Sequence, residues 1–340
     1  LPASPQSTHR PPTHLPPPKS QFPLPPCSLF PMPAIIVFGS INMDLVAHSP
    51  RLPVPGETLL GNNFSTSPGG KGANQAIAAA KLGADVKMVG RVGGARFGKE
   101  LLDNLQANGV DTAGVVIDSE VSSGVALIVV GDNGENQIVV VPGANERVAS
   151  EDIDRLIDLL PGSAILLLQL EIPLPMAIAA AKAAKQAGVT VILDPTPVPP
   201  NLPSELYQLA DIITPNEVEA SQLAGFSIND PKDAIQAATL FRQRGTPIAT
   251  IKLGERGALC ATAEDSFFIP AFPQTVTDAV GAGDAFNGAM AAGLATGLSL
   301  REAVLWATAA GAIAITQNGA QAAMPNRQTL LAFLQERIRS

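Results

Sequence analysis

Apolar and polar positions alternate along this chain in two different ways. From Ala34 onward, short continuous apolar runs are followed by longer runs of helical composition. "AIIVFG" is a run of the first kind, ending in Gly, and reads as a strand buried on both faces. "GGKGANQAIAAAKLGA" is of the second kind: Ala, Gln and Lys favour a helix and Gly83 ends it. "DVKMVGRVG" is the next strand. Further units follow as "AILLLQLE" before "PMAIAAAKAAKQAG", then "VTVILDP", "DIITP" before "NEVEASQLAG", and "PIATIKLG". Such alternation predicts an α/β fold with a mostly parallel central sheet and helices on both faces. Ligands in such sheets bind at the C-terminal ends of the strands.

Two stretches break the pattern. "SGVALIVVGDNGENQIVVV" predicts two strands around an Asn133-Gly134 turn. "MDLVAHSPRLPVPGETLLGNNFS" is punctuated by Pro and Gly and has no helical period. Together they predict a small β-rich lid, built from segments at about 43–65 and 121–143, on a domain spanning residues 34–340.

Residues 1–33 differ in kind. "HRPPTHLPPPKSQFPLPPC" is dense in Pro and lacks Asp and Glu. It cannot form helix or sheet interiors and is expected to be a disordered extension. An organelle transit peptide and translation starting at Met32 are the other two readings.

Composition narrows the function. The 340 residues carry 22 Lys plus Arg against 30 Asp plus Glu, a net charge of −8. That balance predicts no general attraction to nucleic acid or to an anionic membrane. Of three His, only His48 belongs to the body, which argues against a His-rich metal site. Cys27 and Cys260 are far apart, which fits a reducing, cytoplasmic compartment. No apolar run reaches the roughly 18 residues of a spanning helix.

Four stretches carry candidate chemistry. In "TDAVGAGDAFNG" a Gly281-Ala282-Gly283 turn leads into a helix. Its unpartnered N–H groups and dipole suit a phosphate, and Asp284 at the edge could take a proton from an attacking hydroxyl. The structural alternative is that Asp284 only caps the helix. In "PGGKGANQA" the glycines would let backbone approach a ligand, while Lys71 and Asn74 share a helix face and suit polyol hydroxyls. The alternative there is a flexible loop with a solvated Lys. In "GSINMD" Asn42 and Asp44 point to one side of an extended segment, and Glu171 closes the apolar strand. In "TPNEVEA" Thr214 is the expected N-cap, boxed with Glu217, which leaves Asn216 and Glu219 three apart to hold Mg²⁺-bound waters or simply to line a helix surface. Neither Gly-rich stretch matches a Walker A loop or a dinucleotide fingerprint.

Taken in their order along the chain, with "PGET", "LLQLE", "KLGERG" and "TQNGAQ", these stretches resemble the PfkB family of carbohydrate kinases from Pro33 to the C-terminus. The resemblance implies that Asp284 is the catalytic base and that the amides of Gly281, Ala282 and Gly283 form an anion hole. It implies a sugar site of Asn42, Asp44, Gly70, Lys71, Asn74 and Glu171. Asn216 and Glu219 match the motif linked to Mg²⁺ and phosphate. Lys252, Leu253, Gly254, Glu255, Arg256 and Gly257, with Gly283 and with Thr308 near the adenine, match the nucleotide site. Asp278, Val280, Ala314, Gln317, Gly319 and Ala323 match a K⁺ site, mostly through backbone oxygens. Departures are Gly94 and Ala95 in "GRVGGARFG", Asp194 where Asn is commoner, and Ala323 for Ser.

The implied reaction is ATP-dependent phosphorylation of D-ribose at O5, with Mg²⁺, a K⁺ activator and a homodimer formed through the lids. Other readings are a family kinase for deoxyribose, fructose or a nucleoside, an inactive sugar-binding regulator, and a Rossmann oxidoreductase, the last disfavoured by the missing fingerprint.

Overall fold

The computed structural model describes residues 33–339. The expectations for residues 1–32 lie outside the described residues. Among the described residues, thirteen strands are distributed between two sheets. The larger sheet contains β1 (Ala34–Phe38), β4 (Val86–Gly93), β5 (Val110–Asp118), β8 (Ser163–Leu168), β9 (Thr190–Leu193), β10 (Ile212–Ile213), β11 (Ile248–Lys252), β12 (Gly257–Ala261) and β13 (Ser266–Pro270). The smaller contains β2 (Asn42–Ser49), β3 (Asn63–Gly69), β6 (Gly124–Gly131) and β7 (Asn136–Val141).

The large sheet runs β13-β12-β11-β10-β9-β8-β1-β4-β5. It is parallel except where β12 runs against β11 and β13. Both faces are covered, which is why its strands read as unbroken apolar runs. Ile35 and Val37 of β1 enter one core with the Lys71–Lys81, Ala282–Ala295 and Leu300–Ala314 helices, while Ile36 and Phe38 enter another with the Leu174–Gln186 and Pro231–Gln243 helices. Strand order reverses between β1 and β8, since the chain builds outward to β4 and β5 and then back from β8 to β11. A ligand crevice opens at such a reversal, beyond the strands' carboxyl ends.

The small sheet runs β3-β2-β6-β7. Only Gly39, Ser40 and Ile41 separate β1 from β2, so the small sheet grows out of the large one at that crevice. The 123–141 hairpin forms as expected, with β6 and β7 antiparallel. Its loop is longer than a two-residue turn: the Gly131 amide donates to the Glu135 carbonyl at 2.9 Å, and Gly134 alone takes positive φ.

Candidate active site

The site forms where the carboxyl ends of β1, β8, β9 and β11 meet two helix N-termini. The first helix, Ala282–Ala295, follows Gly281, which has φ 78°. That left-handed turn is accessible to Gly and costly for other residues. No side chain caps this helix, so first-turn N–H groups remain for an anion. The Ala282 amide leans toward the Ala279 carbonyl at 3.3 Å, so the Gly283 and Asp284 amides are the better-placed donors. The Lys252 ammonium stands beside this turn, 3.5 Å from where a Cβ on Gly283 would lie.

Asp284 is 5% exposed and does not cap the helix. Asn74 Nδ2 donates to its Oδ2 at 2.9 Å and Gln75 Nε2 to its Oδ1 at 3.0 Å. Burial pushes its pKa above the ordinary carboxylate value, Lys71 opposes that shift, and Asp194 adds to it. Two side-chain amides therefore hold a carboxylate with elevated proton affinity in the first turn of an uncapped helix.

The second helix, Lys71–Lys81, begins after Gly70, whose φ is 87°. The neighbouring glycines serve close packing as well as ligand access: a Cβ on Gly69 would lie 2.3 Å from Asp44 Oδ2, and one on Gly70 would lie 2.7 Å from the Asn42 amide. Burial is opposed to the Lys71 charge, but Asp284, Asp194, Glu171 and Glu219 outweigh it and raise its pKa. Asp44 is lifted to about 6 by burial, then by Glu171 and Asp284. Asn42 and Asp44 lie on β2 with Ile41 and Met43 fully buried opposite them, as the alternation predicted. Glu171 lies three residues beyond β8 rather than closing it, because the chain turns there toward the Leu174–Gln186 helix. Its Oε2 accepts from Ser40 Oγ at 2.5 Å and the Lys71 amide at 3.2 Å.

The expected cap at Thr214 is corrected. Asn216 is the N-cap of the Glu217–Ala224 helix, and Glu219 closes the box. Residues 214–216 stay extended because Asn216 bridges Lys252 in parallel and the Lys252 amide donates to the Pro215 carbonyl at 2.9 Å. Glu219 also accepts from Thr196 Oγ1 at 2.6 Å. Glu217 instead pairs with Arg256, which fixes the Gly254–Arg256 turn to that helix. Leu253 is buried, Glu255 is exposed and Gly257 opens β12. Thr308 is buried on the Leu300–Ala314 helix, with Oγ1 donating to the Val304 carbonyl at 2.8 Å.

Asp278 fastens two loops, accepting from the Val280 amide at 3.0 Å and the Gly319 amide at 2.9 Å. Ala314 and Ala323 are buried nearby along the chain, while Gln317 and Val280 are exposed. Among the described residues, no three His, Cys, Asp or Glu cluster as a metal cage, and no helix is long and apolar enough to cross a membrane.

Residues 32–327 match the model described as pfkB family carbohydrate kinase. This chain belongs to that family. A Haemophilus influenzae ribokinase is 40% identical over 301 residues, covering 88% of this chain and 98% of the relative. The bifunctional ribokinase/ribose-5-phosphate isomerase A of Fructilactobacillus sanfranciscensis is 39% identical over 307 residues, or 90% of this chain; the chain spans 57% of that longer protein. The Arabidopsis thaliana ribokinase structure complexed with ribose and ATP superposes with a TM-score of 0.82 at 34% identity, covering 89% of this chain and 99% of that one. The architecture is the ribokinase-like α/β fold.

The candidate site has a supporting layer that sequence reading missed. Asn145 takes the Ile41 amide on Oδ1 at 2.9 Å and donates to Asn42 Oδ1 at 2.7 Å. Gln321 donates to Asn74 Oδ1 at 2.9 Å, and Gln169 donates to Gln75 Oε1 at 2.7 Å. Asp194 was noted only as a departure; it accepts from Gln75 and Lys252.

Proposed function

We propose that the protein transfers the γ-phosphoryl group of ATP to O5 of D-ribose, giving ribose 5-phosphate and ADP. The observation that carries this is Asp284, a buried carboxylate of raised proton affinity in the first turn of an uncapped helix. Asp284 accepts the O5 proton as the O5–P bond forms and the bond from phosphorus to the β-phosphate oxygen breaks. A positioned base contributes about 10²- to 10⁴-fold. The first-turn amides and Lys252 meet charge on the transferring group. Asp44 and Glu171 accept from sugar hydroxyls. Asn42, with its oxygen held by Asn145, offers N–H donors, and Lys71 adds an ammonium. The 252–257 turn and Thr308 border the nucleotide.

Asn216 and Glu219 present oxygens that fit a hydrated Mg²⁺ better than a dry one, since the Glu219 carboxylate already serves its capping box and Thr196. Asp278 and the carbonyls at Val280, Ala314, Gln317, Gly319 and Ala323 are hard oxygen donors that fit K⁺. When bound, Mg²⁺ would neutralise phosphate charge and K⁺ would add positive potential. The small sheet acts as the lid that excludes water. Its edge strand β7 exposes Ile138, Val139, Val140 and Val141, which favours a homodimer through the lids.

The test is ADP release across ribose, deoxyribose, fructose and adenosine, with and without K⁺. Ribose is expected to give the highest kcat/KM; a higher value for another acceptor reassigns the substrate. Ribose binding without ADP release would make the protein a sugar-binding regulator.

A further inference from the structure

Asp194 lies just beyond β9, is 2% exposed, and belongs to none of the sugar, nucleotide or cation groups above. Its two oxygens face different donors. Oδ2 accepts from Gln75 Nε2 at 2.9 Å, while Oδ1 accepts from Lys252 Nζ at 3.1 Å; Thr196 Oγ1 lies 3.2 Å from Oδ1 with its single proton directed to Glu219. The Gln75 nitrogen that bonds Asp194 also bonds Asp284 Oδ1 at 3.0 Å, so one amide links two buried carboxylates. The orientation of that amide is set from behind, because Gln75 Oε1 accepts from Gln169 Nε2 at 2.7 Å. A reversed amide would turn its oxygen to both carboxylates and its NH₂ to another donor.

We propose that Asp194 is a positioning residue for phosphoryl transfer, holding the base Asp284 through Gln75 and holding the Lys252 ammonium at the anion cradle. This rests on the assignment of Asp284 as the base. Both oxygens of Asp194 are needed as acceptors. An Asn there has one acceptor oxygen and would turn an NH₂ toward either Gln75 or Lys252, so one of the two connections is lost.

The same geometry sets the sign of two pH effects. The groups that face this centre are Lys71 from the Lys71–Lys81 helix, Asp44 from β2, Glu171 after β8, Asp194 after β9, Lys252 at the end of β11 and Glu219 from the Glu217–Ala224 helix. The negative charge of Asp194 favours the protonated form of Asp284, and the Gln75 hydrogen bond favours the ionised form. Removing one or the other therefore moves the base in opposite directions.

The experiment is the pH profile of kcat/KM for Asp194→Asn, Gln75→Met and Asp284→Asn, with separate KM values for ATP and ribose. Asp194→Asn is expected to shift the acid limb down by about one pH unit. It should lower kcat about 10-fold through loss of a charged hydrogen bond, and raise KM for ATP more than for ribose as Lys252 is released. Gln75→Met is expected to shift the acid limb up. A residue that only supports packing would change the yield of folded protein and leave both limbs where they are. Unmoved limbs in Asp194→Asn, with Asp284→Asn inactive, overturn the Asp194 assignment alone. Near-parental turnover in Asp284→Asn overturns the base itself. If Asp194→Asn does not fold, Asp194→Ser takes its place: the acid limb is again expected to move down, and unmoved limbs overturn the assignment.

Discussion

The two sheets of this protein solve opposite problems. The large sheet is buried on both faces, and the groups at the carboxyl ends of its strands are held by partners distant in sequence. The small sheet leaves β7 exposed along its whole length. Ile138, Val139, Val140 and Val141 are each 45% exposed or more, in a strand whose outer edge pairs with nothing among the described residues. The contrast teaches where precision is needed. On the proposed reading Asp284 is a proton acceptor that must sit within a fraction of an ångström of its target, and it is held on the two-sided core. The proposed lid instead includes a strand that is exposed along its whole length.

The comparison can be broken most sharply at Asp284. Asp284→Asn should lower kcat by about 10²- to 10⁴-fold, with ribose affinity retained by calorimetry, because the amide still fills the site and still accepts from Asn74 or Gln75. A loss of ribose affinity equal to the loss of turnover would show that this carboxylate serves binding instead. Next is the packing beneath it. A Cβ on Gly288 would come within 2.5 Å of Ala78 Cβ and 2.7 Å of the Gln75 carbonyl. Gly288→Val should destabilise the protein by about 1–3 kcal/mol in denaturant titration and lower turnover by displacing Gln75.

Asp44 sharpens the comparison at the joint between the sheets. It is protonated at low pH and ionises near its raised value of about 6. As pH rises from 5 to 7 it becomes a pure acceptor, so ribose affinity should rise over that window. Asp44→Asn should abolish the rise and weaken binding at pH 7 by about 10- to 100-fold. The smallest effect belongs to the exposed edge. Val139→Lys should change stability by no more than about 0.5 kcal/mol, while sedimentation shifts from dimer to monomer. An unchanged dimer would move the interface elsewhere.

Much of this was legible before any coordinates. β1, β4, β8, β9, β10 and β11 announce themselves as apolar runs because two helical layers cover them, whereas β5, β12 and β13 toward the sheet's ends were not read as strands. Asn42 and Asp44 announce a common direction because a strand has a period of two. The turn at Gly281 could be read from small residues before an Ala-rich run, while the absence of a side-chain cap came only from the structure. What was not legible depends on partners far along the chain. Gln75 sits in an Ala-rich helix, where an amide reads as a helix-compatible surface residue. Its meaning appears only when Asp284, 209 positions later, arrives beside it. Gln169, Gln321 and Asn145 were hidden for the same reason. The cap at Asn216 was misplaced by two residues because Thr-Pro is a sound local start signal, and a bridge to Lys252 overrides it.

The three-residue link between β1 and β2 leaves no slack for a change of length. One residue inserted after Ser40 would reverse the parity of the following strand. The positions now filled by an amide and a carboxylate would then receive the hydrophobic side chains that currently face inward. Sugar selectivity in this lineage can therefore drift by substitution, but an insertion at this point would erase the pocket's polarity in a single step.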